Sequence, residues 1–456
     1  MNREQRRKNR DEINILSETI AIIKKYMPEL MNKFDNLTDL RHKSYVKYKM
    51  KVIFMVRLMG LMCSIKSMNE MTSEFNTQET IKNIAKMCEL ELNEIPHCDT
   101  INDVFEKIKV KEIEEIIKDI ITKLIRGKIL TKFLIRDKYY HVIVDGTGLA
   151  TSRKRYNKNC LVKNKTDKNG NKYQEYSTYV LEAKLVVGNM VFSIGSEFVE
   201  NSNNKKFIHR KISKYKKIEK NTYNKKEDKR KNLSYQKYKQ DCEIRAFERL
   251  AKKIKKNYPR LNILISGDAL YANQKVIEIC RKNNWKYIIR LKEGAIPTLY
   301  KEFEEIVSKE NECNVDKYEF VTKIAYKDYE TNVIRYKDKE TEFTYMTDLP
   351  ITNKNIESSI IVGRKRWKIE NEGFNIQKNG TFDIGHLYSK NAVAIKVHYL
   401  MIQIAHIIRQ LVENGSIAVK SQRLKIKEIS QLIKKKLTST LVDFQKAYIS
   451  QLRFDE

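Results

Sequence analysis

Apolar residues recur every three or four positions through the first third of the chain. The first run contains Ile13, Leu16, Ile20, Ile23 and Met27. This spacing places side chains on one face of an α-helix. Similar patterns predict further helices near residues 40–66, 78–91, 99–109 and 111–136. In the third of these, Asp99 or Thr100 suits the N-cap. We therefore predict an all-helical N-terminal domain over residues 1–135.

At Tyr139 the pattern changes from helical to alternating. Three segments, "YYHVIVDGTG", "STYVLEAKLVVGN" and "MVFSIGSEFVEN", have the composition of strands, and "GNM" marks a hairpin between the last two. A helix, a strand, a helix and a strand follow in "DCEIRAFERLAKKIKK", "LNILISGD", "NQKVIEICRKN" and "KYIIRL". The order β-β-β-α-β-α-β predicts an α/β fold with a ribonuclease-H-like mixed sheet and flanking helices.

This core is predicted to be interrupted. Residues 295–358 combine a helix-like segment with the strand-like segments "KYEFVTKIAY", "TNVIRYKD" and "EFTYMTDL", which indicates a β-rich insertion. The predicted organisation is a first part of the core at 136–294, the insertion at 295–358, a second part of the core at 359–415 and a helical C-terminal tail at 416–456.

Two aspartates follow apolar strands. Asp145 ends "YYHVIVD" and Asp268 ends "LNILISGD". Functional groups collect at the carboxyl ends of central strands in such sheets, and in a ribonuclease-H-like order these two strands are neighbours. Two carboxylates about 4 Å apart repel each other by roughly 4 kcal/mol at an effective dielectric of 20. The pair therefore predicts a site for two Mg²⁺ ions, with Mn²⁺ as a substitute, that would activate a water or a 3′-hydroxyl at a phosphodiester.

An Asp-Gly pair such as that at Asp145 is also an ordinary turn, so the prediction needs a third acidic element. The segment "GRKRWKIENEGFNIQKNG" is predicted to form a helix that packs on the sheet and presents Glu370 to the aspartates. On an α-helix Glu370 and Glu372 would point roughly 200° apart, so only one of them can join the site. Arg366 and Phe374 lie four residues before and after Glu370, on the same stripe.

The charge of the chain indicates a polyanionic partner. Lys and Arg number 90 against 58 Asp and Glu, an excess of 32 positive charges spread along the sequence. Phosphate contacts release counterions and favour nucleic acid as that partner. A lysine-rich genomic background is the alternative, although it should raise Glu together with Lys. The Lys/Asn-rich stretch at 201–240 is either ordered by phosphates or merely solvated.

Other residue types argue against several classes of protein. The seven cysteines are scattered without a C-x-x-C pair, which suits free thiols in a reducing cytosol, and His97 with Cys98 suits a turn better than a metal site. The basic start "MNREQRRKNR" lacks the pattern of a secretory signal, and the longest apolar run is interrupted by Arg57. We expect a cytoplasmic, nucleoid-associated protein without membrane contact.

Residues 97–410 resemble the DDE transposases of bacterial insertion sequences, in the branch whose catalytic domain carries a β-rich insertion before the glutamate. The motifs that carry the resemblance are "VDGTG", "SGDALYAN" and "RWKIENEGFN". The resemblance implies a catalytic, metal-binding triad of Asp145, Asp268 and Glu370. It also implies DNA-binding residues, which are Arg366, Lys378, Trp367 and Tyr271.

Two positions depart from that branch. A tyrosine is common three residues before Arg366, where this chain has Gly363, and a lysine is common seven residues after the glutamate, where it has Gln377 beside Lys378. His386 follows the triad segment and either contacts phosphate, assists proton transfer or has no role beyond its loop.

The sequence thus predicts a DNA transposase that binds the terminal inverted repeats of an insertion sequence and catalyses metal-dependent cleavage and strand transfer by a cut-and-paste route. Double-stranded DNA of the ends and of the target is the expected partner, with a homodimer in the DNA complex. The helical region, through a helix at 100–108, is expected to recognise the ends. A structure-specific nuclease on the same fold, or a DNA-binding regulator that has lost the chemistry, is the alternative.

Overall fold

The computed structural model describes residues 14–201, 240–309, 314–315, 317–422 and 424–444. The basic start, Cys313 and the stretch predicted at 201–240, apart from its two end residues, lie outside the described residues. Ahead of the sheet the helices are α1 (Ile15–Tyr26), α2 (Leu30–Asp35), α3 (Met50–Met62), α4 (Met68–Phe75), α5 (Gln78–Cys88), α6 (Cys98–Lys107) and α7 (Val110–Arg126).

This region is helical, as predicted, with differences at its element ends. The helix predicted from residue 40 begins only at Met50, after an irregular stretch with one 3₁₀ turn at Lys43–Tyr45. The N-cap of α6 is His97, whose Nδ1 accepts the Asp99 N–H at 3.3 Å. The predicted cap at Asp99 or Thr100 is therefore wrong, because the imidazole supplies the acceptor expected from an aspartate or threonine side chain.

Ten strands form one sheet in the described part of the chain. They are β1 (Tyr140–Ser152), β2 (Leu161–Thr166), β3 (Lys172–Val187), β4 (Met190–Val199), β5 (Ile263–Gly267), β6 (Lys286–Arg290), β7 (Asn314–Val315), β8 (Tyr318–Tyr326), β9 (Tyr329–Lys337) and β10 (Glu342–Thr347). Strand β2 was not predicted, because its exposed and mostly polar residues give no alternating pattern.

The order β4-β3-β1-β5-β6 forms the centre of this sheet. Strand β1 pairs antiparallel with β3 and parallel with β5, and β5 pairs parallel with β6. Helices α8 (Glu243–Asn257) and α9 (Gln274–Lys282) form the crossovers before and after β5. This mixed sheet with a parallel centre confirms the predicted ribonuclease-H-like fold class.

The insertion continues the core sheet. After α10 (Pro297–Lys309), strand β10 pairs antiparallel with β6, and β9, β8 and β7 follow outwards. Helix α11 (Ile356–Arg364) closes the insertion and packs over these strands. Leu264 of β5, Ile288 of β6 and Ile334 of β9 share one buried cluster. The insertion is therefore anchored through backbone pairing and through a common core.

The remaining helices connect the sheet to the N-terminal region. A π-helix (Ile369–Gly380) precedes α12 (Ala392–Gly415), α13 (Ile417–Ser421) and α14 (Ile426–Ser439). Helix α12 packs against α1, α3, α6 and α7 and also against β4. It is long and apolar enough to cross a membrane, but 78% of its most apolar window is buried inside the protein. Its position is that of a core helix.

Arg57 shows how closely α12 is joined to the N-terminal helices. Its side chain is buried in α3, donates to His398 Nδ1 at 3.2 Å and lies over the Tyr388 ring at 5.6 Å. The charge that interrupts the apolar run of α3 is thus used in a contact between the first and last thirds of the chain.

We expect a fragment ending near residue 130 to lack a fixed tertiary structure. One hydrophobic core runs through α1, α3, α7, α12 and α14, so the fragment would expose the faces that α12 and α14 cover. Near-ultraviolet circular dichroism and amide exchange of residues 14–130, with the full chain as control, measure this. Cooperative unfolding and slow exchange in the isolated fragment would contradict it.

Candidate active site

The pairing of β1 with β5 brings two acidic residues together. Ile143 lies opposite Ser266 in the parallel register, and Asp145 and Asp268 follow each of them by two residues. Side chains two residues apart point to the same face of a strand, so both aspartates leave the sheet beside each other. The sequence predicted that Asp145 ends its strand. This is wrong, because β1 continues past Asp145 to Ser152, paired with β3. Asp145 lies where the pairing with β5 stops.

Backbone amides orient both carboxylates. Asp145 Oδ1 accepts the Gly146 N–H at 2.8 Å, and Asp268 Oδ1 accepts the Leu270 N–H at 2.9 Å. Asp145 Oδ2 lies 3.8 Å from Nη1 of Arg366. Arg366, which was predicted from the sequence, is therefore at the site, with its guanidinium also over the Trp367 ring at 4.9 Å.

Burial raises the pKa of Asp145 to about 6, although the Gly146 N–H and Arg366 act in the opposite direction. The negative charges of Asp268 and Glu243 raise it further. A carboxyl whose pKa is shifted by burial and by neighbouring charges is typical of functional sites. Asp268 and Glu243 thus lie close enough to Asp145 to affect its pKa.

Glu243 was missed by the sequence analysis. It is the first residue of α8 and accepts hydrogen bonds from Tyr179 Oη at 2.8 Å and Tyr271 Oη at 3.1 Å. Nothing in "DCEIRAFERLAKKIKK" distinguishes this glutamate from those on the solvent face of the helix. The only available signal was its position at the helix start, which the parallel sheet brings to the aspartates.

The segment that carries Glu370 is a π-helix and not the predicted α-helix. Ile369 and Phe374 are buried against Ile143 and Val186, which packs the segment onto the sheet on the face of Ile143, and hence of Asp145. Phe374 is therefore part of the packing surface, and the predicted stripe that shared it with Glu370 is wrong. The five-residue hydrogen-bond spacing of a π-helix shifts which residues share a face, and such helices are frequent at functional sites.

The two candidate glutamates have different surroundings. Glu370 is exposed at the second position of the π-helix. Glu372 is half-buried and lines a small cavity with Arg409 and Glu413 of α12. Burial raises the pKa of Glu413, and the charge of Glu372 raises it further. Glu372 therefore belongs to the contact with α12.

The predicted DNA contacts divide into exposed and buried residues. Trp367 is 51% exposed and Lys378 is half-buried, whereas Tyr271 is fully buried and packs edge-on against Phe247. The prediction that Tyr271 contacts DNA is therefore wrong, since its ring fills the core beneath Asp268. His386 is exposed on a turn after the π-helix, where its backbone N–H donates to the Asp383 carbonyl at 3.1 Å.

The structure accounts for both departures from the family pattern. Gln377 is buried and donates to Gln403 Oε1 at 3.0 Å, so it belongs to a polar network under the π-helix. At Gly363 the ring of Tyr345, from β10 of the insertion, lies 2.8 Å from where a Cβ would be. A side chain at position 363 would displace that ring.

We expect Asp145→Asn to stabilise the protein above pH 6 when divalent cations are absent. The folded state raises the pKa of Asp145 from 3.8 to about 6, so charging this carboxyl costs the folded state up to roughly 3 kcal/mol, a cost that grows between these pH values and is complete above them. Urea unfolding of both proteins from pH 4 to pH 8 measures the difference, which should vanish near pH 4. A pH-independent difference would show that the carboxyl is not destabilised by its surroundings.

Two family models match parts of the chain. A family model described as DDE_Tnp_1-associated matches residues 31–120, and one described as transposase DDE domain group 1 matches residues 233–455. The second range contains Asp268 and Glu370, whereas Asp145 lies between the two ranges. No curated protein matches the chain.

A solved structure of a piggyBac transposase synaptic complex with hairpin DNA also matches. It is 12% identical, with a TM-score of 0.43, over 96% of this chain and 82% of that chain. Agreement at this level does not carry the DNA contacts of that complex over to this protein. With the group 1 model over residues 233–455 and its associated model over residues 31–120, the chain is identified as a DDE transposase of domain group 1.

Proposed function

We propose that this protein is the transposase of an insertion sequence, which binds the terminal inverted repeats and moves the element by cut-and-paste cleavage and strand transfer. The family implies phosphoryl transfer. The observation that supports the proposal best is the pair Asp145 and Asp268, in register on adjacent parallel strands, with Arg366 at 3.8 Å from Asp145. This combination offers carboxylates for divalent cations and a guanidinium for a phosphate.

The donor set fits Mg²⁺, which prefers carboxylate oxygens. One oxygen of each aspartate is held by a backbone N–H, while neither Oδ2 atom accepts a hydrogen bond from the described residues. Asp145, Asp268 and Glu370 would hold two Mg²⁺ ions, or Mn²⁺ in their place. When bound, the ions would lower the pKa of the attacking hydroxyl and stabilise the leaving oxygen.

The remaining roles belong to side chains around this pair. Arg366 would neutralise a phosphate beside Asp145, because its guanidinium already lies next to that carboxylate. Trp367 offers an exposed ring next to it for an unpaired base at the cleaved end. Lys378 would contact the flanking phosphates. Glu370 is favoured over Glu372 as the third acid, since Glu372 lies at the α12 contact.

The surface that binds the ends is best sought outside α6. The solvent side of α6 carries Asp99, Asp103 and Glu106, which would repel phosphates, so the expectation that this helix enters the major groove has little physical support. The stretch from Leu40 to Lys49 is better suited. It is basic and exposed, and it presents the Tyr45 ring, which is 82% exposed. We propose that this stretch contacts the terminal repeats in a homodimeric DNA complex.

Cleavage assays should distinguish the two glutamates. We expect Glu370→Gln to abolish end cleavage in Mg²⁺ while terminal DNA is still bound, because a metal ligand is lost without a change in shape. Glu372→Gln should cleave at near the wild-type rate, since it removes a like charge next to Glu413. The measurement is single-turnover cleavage of a paired-end substrate at matched folded concentration, checked by circular dichroism.

A folded but inactive Glu372→Gln beside an active Glu370→Gln would reverse this assignment. The same assay separates the alternatives of the proposal. Cleavage without strand-transfer products indicates a nuclease, and binding without cleavage by the wild-type protein indicates a regulator.

Salt dependence tests the Leu40–Lys49 stretch. Each phosphate contact contributes about −0.9 to the slope of log affinity against log salt. Replacing Lys43 and Lys49 by alanine should therefore flatten the slope for terminal DNA by about 1.8 if both contact phosphate. Lys82→Ala, at an exposed position of α5, is the matched control. Equal slopes for both variants would remove this stretch from the interface.

A further inference from the structure

One carboxylate receives hydrogen bonds from two tyrosines that lie beneath the two aspartates. Tyr179 Oη donates to Glu243 Oε1 at 2.8 Å, and Tyr271 Oη donates to Glu243 Oε2 at 3.1 Å. Tyr179 belongs to β3, Tyr271 to the turn after β5, and Glu243 to the start of α8. We call these three side chains the Glu243 bridge. It joins three elements that are distant in the sequence.

Each tyrosine ring lies against a glycine next to an aspartate. A Cβ on Gly146 would lie 2.5 Å from Tyr179, and a Cβ on Gly267 would lie 2.8 Å from Tyr271. Gly146 directly follows Asp145, and Gly267 directly precedes Asp268. The absence of a side chain at both positions lets the rings approach the backbone at the points where the aspartates leave the sheet.

The arrangement holds like charges together. Asp145, Asp268 and Glu243 each raise the pKa of Tyr179 and of Tyr271, after the larger effect of burial. Since the parallel pairing of β1 with β5 stops at Ile143 and Ser266, no ladder hydrogen bonds fix the separation of the two aspartates. The Glu243 bridge links β3 to the turn after β5 next to the point where the pairing of β1 with β5 stops. The position of Glu243 at the N-terminus of α8 favours its negative charge.

We propose that Glu243 is a positioning residue of the active site, which sets the separation of Asp145 and Asp268 through Tyr179 and Tyr271. The inference rests on the proposed function, because the two aspartates must bind the metal ions for their separation to matter. Glu243 would act through the tyrosines and not as a ligand. Loss of the hydrogen bond from Tyr179 or from Tyr271 to Glu243 would allow the aspartates to move apart under their mutual repulsion. The site would then bind divalent cations less tightly.

The test compares Glu243→Gln with the double variant Tyr179→Phe/Tyr271→Phe, each in the full chain. Glutamine keeps the shape but can accept on only one side-chain oxygen, and phenylalanine removes only the hydroxyl groups. Mn²⁺ binding is followed by electron paramagnetic resonance without DNA, together with the Mn²⁺ concentration for half-maximal cleavage. Glu248→Gln is the matched control, because Glu248 lies on the same helix and pairs with Lys252 and Lys275.

Both variants should raise the Mn²⁺ dissociation constant about 10-fold, the lower end of what residues that orient metal ligands contribute. The affinity of both variants for terminal DNA should stay unchanged. The Glu248→Gln control should keep the wild-type Mn²⁺ dissociation constant. A variant that combines Glu243→Gln with Tyr179→Phe and Tyr271→Phe should bind Mn²⁺ no more weakly than Glu243→Gln or the tyrosine double variant alone, because all three residues act through one set of contacts. A merely structural role would lower thermal stability without this selective change in metal affinity.

Three results would overturn the inference. Wild-type Mn²⁺ affinity in both variants would show that the bridge does not position the aspartates. A loss in Glu243→Gln with wild-type affinity in the tyrosine double variant would show that Glu243 acts directly on the metal. Failure of the wild-type protein to bind Mn²⁺, or unchanged binding by Asp145→Asn, would remove the proposed metal site itself. The first two results leave that site intact.

Discussion

The parallel register of β1 and β5 is the constraint around which the site is built. It places Asp145 and Asp268 side by side, in partly buried surroundings that raise the pKa of Asp145. Two charges held this close are unfavourable unless a cation joins them. Arg366 supplies one positive charge, while Glu243 adds a negative one. The balance remains negative, which suits a site that takes divalent cations.

The two aspartates lie on the sheet, but the residues that pack around them come from distant parts of the chain. The π-helix packs Ile369 and Phe374 onto the face of Ile143, and Arg366 just before it reaches Asp145. On the other side Tyr179 and Tyr271 meet at Glu243. Small errors in ligand position are costly in catalysis, and these side chains hold the aspartates beyond the point where the pairing of β1 with β5 stops.

The helical region and the catalytic sheet share one core through α12. The buried contact of Arg57 with His398 belongs to this connection. Charge is also distributed unevenly over the surface of the helical region. The exposed Leu40–Lys49 stretch is basic, whereas the solvent side of α6 is acidic. Net charge indicated a polyanion as partner, but only the folded surface distinguishes a face that attracts phosphate from one that repels it.

The sequence by itself determined the main strands and helices of the core in their order, the choice of Asp145 and Asp268 as acidic residues beside buried strands, and the fold class, but not strand β2 or the continuation of β1 past Asp145. These depend on local periodicity and on the rule that places functional groups at strand ends. Tertiary structure alone decided that Tyr271 is buried, that Glu372 lies at α12, and that Glu243 accepts hydrogen bonds from Tyr179 and Tyr271. It also decided that the glutamate segment is a π-helix. The physical reason is that these properties depend on which side chains meet across the fold. The helical period of 3.6 residues and the strand period of 2 residues describe only neighbours along the chain and do not predict such contacts.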